Sequence, residues 1–171
     1  TALAASESIS LEEGAKILKL RGKYMHNSYP ENKSGMLAIL GLTSEKITDI
    51  TSKNKNEFDI QIANENAPGQ IVVSLKKEFF NKASELYKLN GAKKIIPLNV
   101  SAGFHSNFMK KAESELSRDL DLVDFKDSKF KIISNYSAKP ISNKNDILLN
   151  LKKQITNRVR WLETIQCLKR E

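Results

Sequence analysis

Between residues 35 and 100 the spacing of apolar side chains switches repeatedly between period two and a helical period, and this alternation constrains the fold more than any other feature of the chain. Met36-Leu37-Ala38-Ile39-Leu40 reads as a strand, and Thr43-Ser44-Glu45-Lys46 then opens a capped helix carrying Ile47 and Ile50 on one face. Phe58-Asp59-Ile60-Gln61-Ile62 alternates as a second strand. Ala67-Pro68-Gly69 is a turn signal, followed at once by the strand-like run Gln70-Ile71-Val72-Val73-Ser74. Phe79, Phe80, Ala83, Leu86, Tyr87 and Leu89 fit a helix closed by Asn90-Gly91, and Lys94 to Val100 reads as a last strand.

The order β-α-β-β-α-β is the split arrangement of ferredoxin-like units, which predicts a four-stranded sheet with two helices on one face over residues 32–101. The flanks differ. Ile17, Leu18, Leu20 and Tyr24 recur at helical spacing after Ser10, with Glu12 and Glu13 in the first turn, and Thr1 to Ala5 starts like the middle of a helix. Asn27 to Ser34 is a polar connector. Asn107 to Leu120 predicts a helix, Phe130 to Ser134 a strand, and Asn145 to Ile155 and Val159 to Lys169 two more helices. Residues 1–31 and 102–171 are therefore expected to belong to a larger α/β domain into which the ferredoxin-like unit is inserted.

A chain of 171 residues can bury a real core without covalent staples, and its single cysteine, Cys167, forms no internal disulfide. That points to a reducing, cytoplasmic setting and to Cys167 as a small buried hydrophobe. No apolar run approaches the roughly 18 to 20 residues of a membrane span. The 28 Lys and Arg against 20 Asp and Glu give a net charge of +8, which favours acidic partners. The excess is spread over local clusters: Lys19, Arg21 and Lys23; Lys93-Lys94; and Lys152-Lys153 with Arg158 and Arg160.

The chain contains two histidines. His26 sits near a helix end and reads as an exposed surface residue. His105 lies in Val100-Ser101-Ala102-Gly103-Phe104-His105-Ser106, after a strand and before a helix, where α/β proteins display catalytic side chains. No His or Cys spacing resembles a metal site. A histidine base needs a nucleophile and a partner that fixes its tautomer, yet the chain has no G-x-S-x-G elbow.

Six blocks, taken in order, resemble the family of malonyl-CoA:acyl carrier protein transacylases and related acyltransferase domains: Leu20 to Met25, Gly35 to Leu42, Ala63 to Ser74, Gly91 to Lys93, Pro97 to Ser106 and Gln154 to Trp161. The resemblance spans nearly the whole chain. It implies a partial hydrolase-like α/β layer with an inserted ferredoxin-like subdomain, and an internal fragment whose G-H-S-L-G-E elbow lies upstream of Thr1. The chain alone is accordingly expected to be inactive. The implied reaction transfers malonyl from malonyl-CoA to the phosphopantetheine thiol of an acidic acyl carrier protein through a seryl acyl-enzyme. The implied protein is a cytoplasmic monomer with no permanently bound cofactor or metal.

Carried over by residue, the resemblance makes His105 the general base and Gln154 the supplier of the backbone carbonyl that holds its ring, a main-chain role that predicts mild effects of side-chain substitution. Arg21 matches the residue that binds the malonyl carboxylate. A planar guanidinium holds a carboxylate in a fork that lysine cannot reproduce. Met25, in the same block, and Phe104 are placed against the acyl group, and the bulk of Phe104 implies selection against an α-methyl branch. Asn66 is matched to pantetheine contact, Asn64 to the same polar loop over the cleft, and Lys93 and Lys94 to positions near the CoA phosphates. Three positions depart from the pattern: Leu75 stands where a Gly usually ends the strand, and Glu65 and Ala67 stand where aromatic or Ser residues are common.

Two other readings compete. The β-α-β-β-α-β outline with a basic charge also suits an RNA-binding module, but Ile60-Gln61-Ile62 and Ile71-Val72-Val73 offer no aromatic platform for bases. A non-catalytic docking or scaffold relative would need neither His105 nor Arg21.

Overall fold

A computed structural model describes residues 1–170. Helix α1 (Ala2–Ala5) and helix α2 (Leu11–His26) lead into strand β1 (Ser34–Leu40), helix α3 (Ser44–Phe58), the hairpin β2 (Gln61–Ala67) and β3 (Gln70–Lys76), helix α4 (Phe80–Leu89) and strand β4 (Lys94–Pro97). Helix α5 (Lys110–Asp121), the short ladder β5 (Ile132–Ile133) and β6 (Pro140–Ile141), and helices α6 (Lys144–Gln154) and α7 (Trp161–Leu168) complete the chain.

The helix starts follow from their caps. The Ser10 hydroxyl accepts from the Glu13 amide at the start of α2, and Thr43 does the same for Lys46 at the start of α3. One expected boundary moves: Phe58 ends α3 rather than starting a strand. Asp59 takes a left-handed conformation, φ 48°, which stops the helix and turns the chain into β2. Leu75, where a turn glycine was the family expectation, is an interior residue of β3 opposite Gly35 and is fully buried. The last strand is shorter than its apolar run, ending at Pro97.

The four strands pair antiparallel in the order β2-β3-β1-β4, the expected ferredoxin-like sheet. Side chains alternate across a strand, so β1 serves two interiors. Leu37 and Ile39 join Val73, Leu75 and Ile71 of β3 against Ile47, Ile50, Ala83 and Tyr87 of α3 and α4. Tyr87 is fully buried with its hydroxyl 2.7 Å from that of Thr51, and burial pushes the phenol up to about 12. Met36 and Ala38 point the other way, packing with Ala63 and Val72 beneath Leu98, Val100 and Phe104.

The second layer is helical. Ala112, Leu116 and Leu120 line one face of α5 at intervals of four and meet α2, α6 and the buried Phe108, Met109 and Phe125. The expected strand at 130–134 contracts to Ile132–Ile133, paired with β6. The two layers are joined by main-chain bonds. The Val159 amide donates to the Ala63 carbonyl at 2.7 Å and the Glu65 amide to the Val159 carbonyl at 3.0 Å, so the segment after α6 runs beside the edge strand β2.

Candidate active site

The loop from Leu98 to Ser106 crosses the open face of the sheet and is pinned at each step. The Ser74 hydroxyl donates to the Phe104 carbonyl at 2.6 Å, the Gly103 amide donates to the Ser34 hydroxyl at 3.0 Å, and the Ser106 hydroxyl returns to the Gly103 carbonyl at 2.6 Å. Gly103 permits this close approach. A Cβ there would stand 2.7 Å from the Phe108 ring and 3.2 Å from the Gly35 carbonyl oxygen. The next residue but one, His105, takes a left-handed φ of 55°, an unfavourable conformation for a residue with a side chain.

That conformation aims the imidazole at the end of α6, where Nδ1 lies 3.0 Å from the Gln154 carbonyl oxygen. A carbonyl only accepts, so Nδ1 carries the proton and Nε2 keeps its lone pair. Burial pushes the His105 pKa below the ordinary histidine value, with the nearby Arg21 charge adding to the effect and the Gln154 bond opposing it. The ring is thus held neutral, with one nitrogen ready to take a proton.

The Gln154 side chain is not idle. Its amide donates to the carbonyls of Asn157 at 3.1 Å and Arg158 at 3.5 Å, closing the turn that follows the carbonyl bound by His105. A merely main-chain role therefore understates this residue.

His105 opens onto a cleft of about 590 Å³ lined by Arg21, Met25, Met36, Asn64, Asn66, Val72, Leu98, Ser101 and Phe104, with Gly22 and His26 at its side. Six of the nine residues singled out from the sequence thus line one cavity, and Gln154 touches it through His105. Arg21 is half-buried on α2, and burial pulls its pKa down. Among the described residues no carboxylate forms an ion pair with it. A desolvated guanidinium without a partner, facing a cleft, is arranged to receive an anion.

Lys93 and Lys94 do not line the cleft. The Lys93 stem packs over Gly41, while Lys94 stands opposite Leu40, two residues along β4 from Ile96, which is opposite Ala38. By strand alternation Lys94 shares the open face of the sheet with Met36 and Ala38. His26, read from sequence as surface, is exposed but also borders the cleft, because α2 ends there. The third basic cluster is internally neutralised: Lys152 pairs with Asp121 at 2.5 Å, Lys153 with Glu113 at 3.5 Å, and Arg158 and Arg160 with Glu163. Cys167 is half-exposed rather than buried. Among the described residues no helix is long and apolar enough to cross a membrane, and no group of three or more His, Cys, Asp or Glu side chains is placed to hold a metal ion.

The chain is an α/β structure in which a ferredoxin-like sheet is bonded edge-on to a helical layer, with a carbonyl-bound histidine and an unpaired arginine in the cleft between them. No protein-family model matches it. The malonyl CoA-acyl carrier protein transacylase of Bacillus subtilis (strain 168) is 40% identical over 169 residues, which is 98% of this chain and 53% of that protein. The crystal structure of the acyl-carrier-protein S-malonyltransferase from Burkholderia pseudomallei 1710b superposes with a TM-score of 0.94 at 32% identity, covering 99% of this chain and 55% of that one. A chain of a solved complex between a type II polyketide-synthase acyl carrier protein, in its holo form, and its malonyl-transacylase matches with the same TM-score at 31% identity and again 55% coverage of that chain. The chain is similar over nearly its whole length to malonyl CoA-acyl carrier protein transacylases, and it spans about half the length of the curated relatives it matches.

Proposed function

We propose that this chain supplies the histidine half of a Ser-His acyl-transfer site, in which malonyl passes from malonyl-CoA to a seryl hydroxyl and then to the phosphopantetheine thiol of an acyl carrier protein. The observation that carries the reading is the His105–Gln154 bond beside the unpaired Arg21 in a single cleft. Nε2 takes the seryl proton as the oxygen attacks the thioester, returns it to the departing CoA thiol, and repeats the cycle with the carrier thiol. A carbonyl partner fixes the tautomer without adding a full negative charge, so the imidazolium depends on transient protonation rather than on a carboxylate.

Arg21 holds the malonyl carboxylate, with Met25 packing beside it. Phe104 occupies the space beyond the acyl carbon, where excluding one methyl group is worth about 1 to 3 kcal/mol. Asn64 and Asn66 reach the amides of the pantetheine arm. Lys94 continues the open face toward the CoA phosphates, and Lys93 adds charge at its margin. The nucleophile lies outside the 171 residues, residues 32–101 form the small ferredoxin-like subdomain beside the cleft, and the reaction is cytoplasmic.

The test is transfer of labelled malonyl from malonyl-CoA to holo acyl carrier protein by the product of the reading frame that contains this sequence. His105→Ala should lower kcat by about 10²- to 10⁴-fold. Undiminished transfer by that variant would overturn the assignment.

A further inference from the structure

Glu65 is the one acidic side chain in the buried set, and its position in the edge strand is not explained by the cleft chemistry. It follows Asn64 in β2, so it points away from the cavity. One carboxylate oxygen accepts from the Ser44 hydroxyl at the start of α3, where the helix N-terminus favours negative charge. The other faces Arg158 Nη1 at 3.5 Å. Arg158 spans two carboxylates, since its Nη2 lies 3.2 Å from Glu163 Oε1 on α7. A lysine point charge cannot bridge both partners in this way.

The place of this pair in the backbone gives it a consequence. Arg158 belongs to the turn closed by the Gln154 amide, the same turn whose first residue presents its carbonyl to His105. The turn is attached to β2 by the two Val159 main-chain bonds, directly beside the ion pair. The same strand braces the other side of the histidine, because Gln61 Oε1 accepts from the Asn107 amide at 2.9 Å. β2 is thus the common support of both the loop that carries His105 and the turn that carries its partner.

We infer that Glu65 and Arg158 are positioning residues: their ion pair locks the 154–160 turn onto β2 and so holds the Gln154 carbonyl in register with His105 Nδ1. The pair touches neither substrate nor imidazole. Breaking it from the arginine side leaves a nearly buried carboxylate without its cation, and breaking it from either side leaves the turn held to β2 by the Val159 main-chain bonds without the side-chain tie beside them. As the turn moves, the carbonyl no longer selects the Nδ1–H tautomer, and the nitrogen that should accept a proton becomes protonated. The catalytic importance of that change rests on the reading of His105 as the base; the tautomer itself does not.

The experiment is ¹⁵N NMR of the 171-residue protein with labelled histidine, above the titration range of both rings and without any acyl substrate. Only His26 and His105 contribute. In the parent, His105 should show a protonated Nδ1 and an unprotonated Nε2. Glu65→Gln keeps a Ser44 acceptor but removes the charge, and should move the tautomer ratio roughly three- to tenfold toward Nε2–H, the range set by one net hydrogen bond. Arg158→Lys, at a partly exposed side chain, should give a smaller shift in the same direction and carries the test if Glu65→Gln folds poorly. Lys139→Gln, beside the arginines but outside the pair, should leave His105 unchanged, as should every variant for His26.

Parent-like His105 shifts in both pair variants, even with a lowered Tm, would reduce the pair to ordinary stabilisation and overturn the inference. So would an equal shift in Lys139→Gln. A parent already in the Nε2–H form would instead remove the carbonyl bond, and with it the proposed base.

Discussion

Replacing Arg21 with Met keeps an unbranched side chain on α2 while removing the only cation among the residues that line the cleft apart from its histidines. The size of the effect follows from its setting. Two N–H groups can reach one carboxylate, and hydrogen bonds to charged groups are worth about 1.5 to 3 kcal/mol each. Arg21 is only half-buried, so water competes and the two bonds do not both count in full. A net loss of about 2 to 3 kcal/mol remains, or roughly 30- to 160-fold in kcat/KM for a malonyl thioester. Acetyl thioester, which has no free carboxylate, should be turned over as well or better, because the variant cleft is less costly to fill with an apolar group. Arg21→Lys keeps the charge but not the fork and should fall between the two. The assay is transfer of each acyl group to holo acyl carrier protein by the complete reading-frame product, scored as the malonyl-to-acetyl ratio. Equal losses for both substrates would show that Arg21 supports the helix rather than the carboxylate, and the argument would fail.

The lowered pKa of His105 has a definite sign in solution. The base form dominates above a value below the ordinary histidine range of about 6.5, so the acid limb of kcat/KM should have its midpoint below that value and flatten above it. The same depression means that the unfolded chain binds a proton more readily than the folded one. Stability from this group is therefore complete above about 6.5 and is lost as pH falls through the folded value; a His105→Gln variant should lose that part of the pH dependence in urea melts. Gly103→Ala introduces a methyl against the Phe108 ring and the Gly35 carbonyl. Thermal unfolding should show a loss of about 1 to 3 kcal/mol, and the His105 ring signals should shift because the loop cannot close.

The β-α-β-β-α-β order was legible because period-two and helical runs alternate over the right lengths, and local rules placed the caps at Ser10 and Thr43. The strand predicted at Phe58 failed for a local reason: Asp59 adopts a left-handed stop that alternation of side chains cannot reveal. The length of the strand at 130–134 depends on its partners, and an apolar run does not name them. In the site, His105, Arg21 and Asn64 came from ordered motifs. The Gln154 amide contacts and the Glu65–Arg158 pair join positions up to 93 residues apart and depend on the layers meeting at Val159, which no motif encodes. The carboxylates that pair with Lys152 and Lys153 lie on α5, equally beyond the reach of local spacing.

Strand β1 carries the core on Leu37 and Ile39 and the cleft floor on Met36, with Ala38 packed beside it on the same face. The two sets occupy alternate positions of one strand, so a point substitution reaches either interior without touching the other. An insertion or deletion of one residue exchanges them, sending the branched core residues into the cleft and the floor residues into the core. For an engineer this divides the strand into two independent dials and one forbidden move: the shape of the cleft can be varied at even positions while the packing of the helices is tuned at odd ones, provided the strand length never changes.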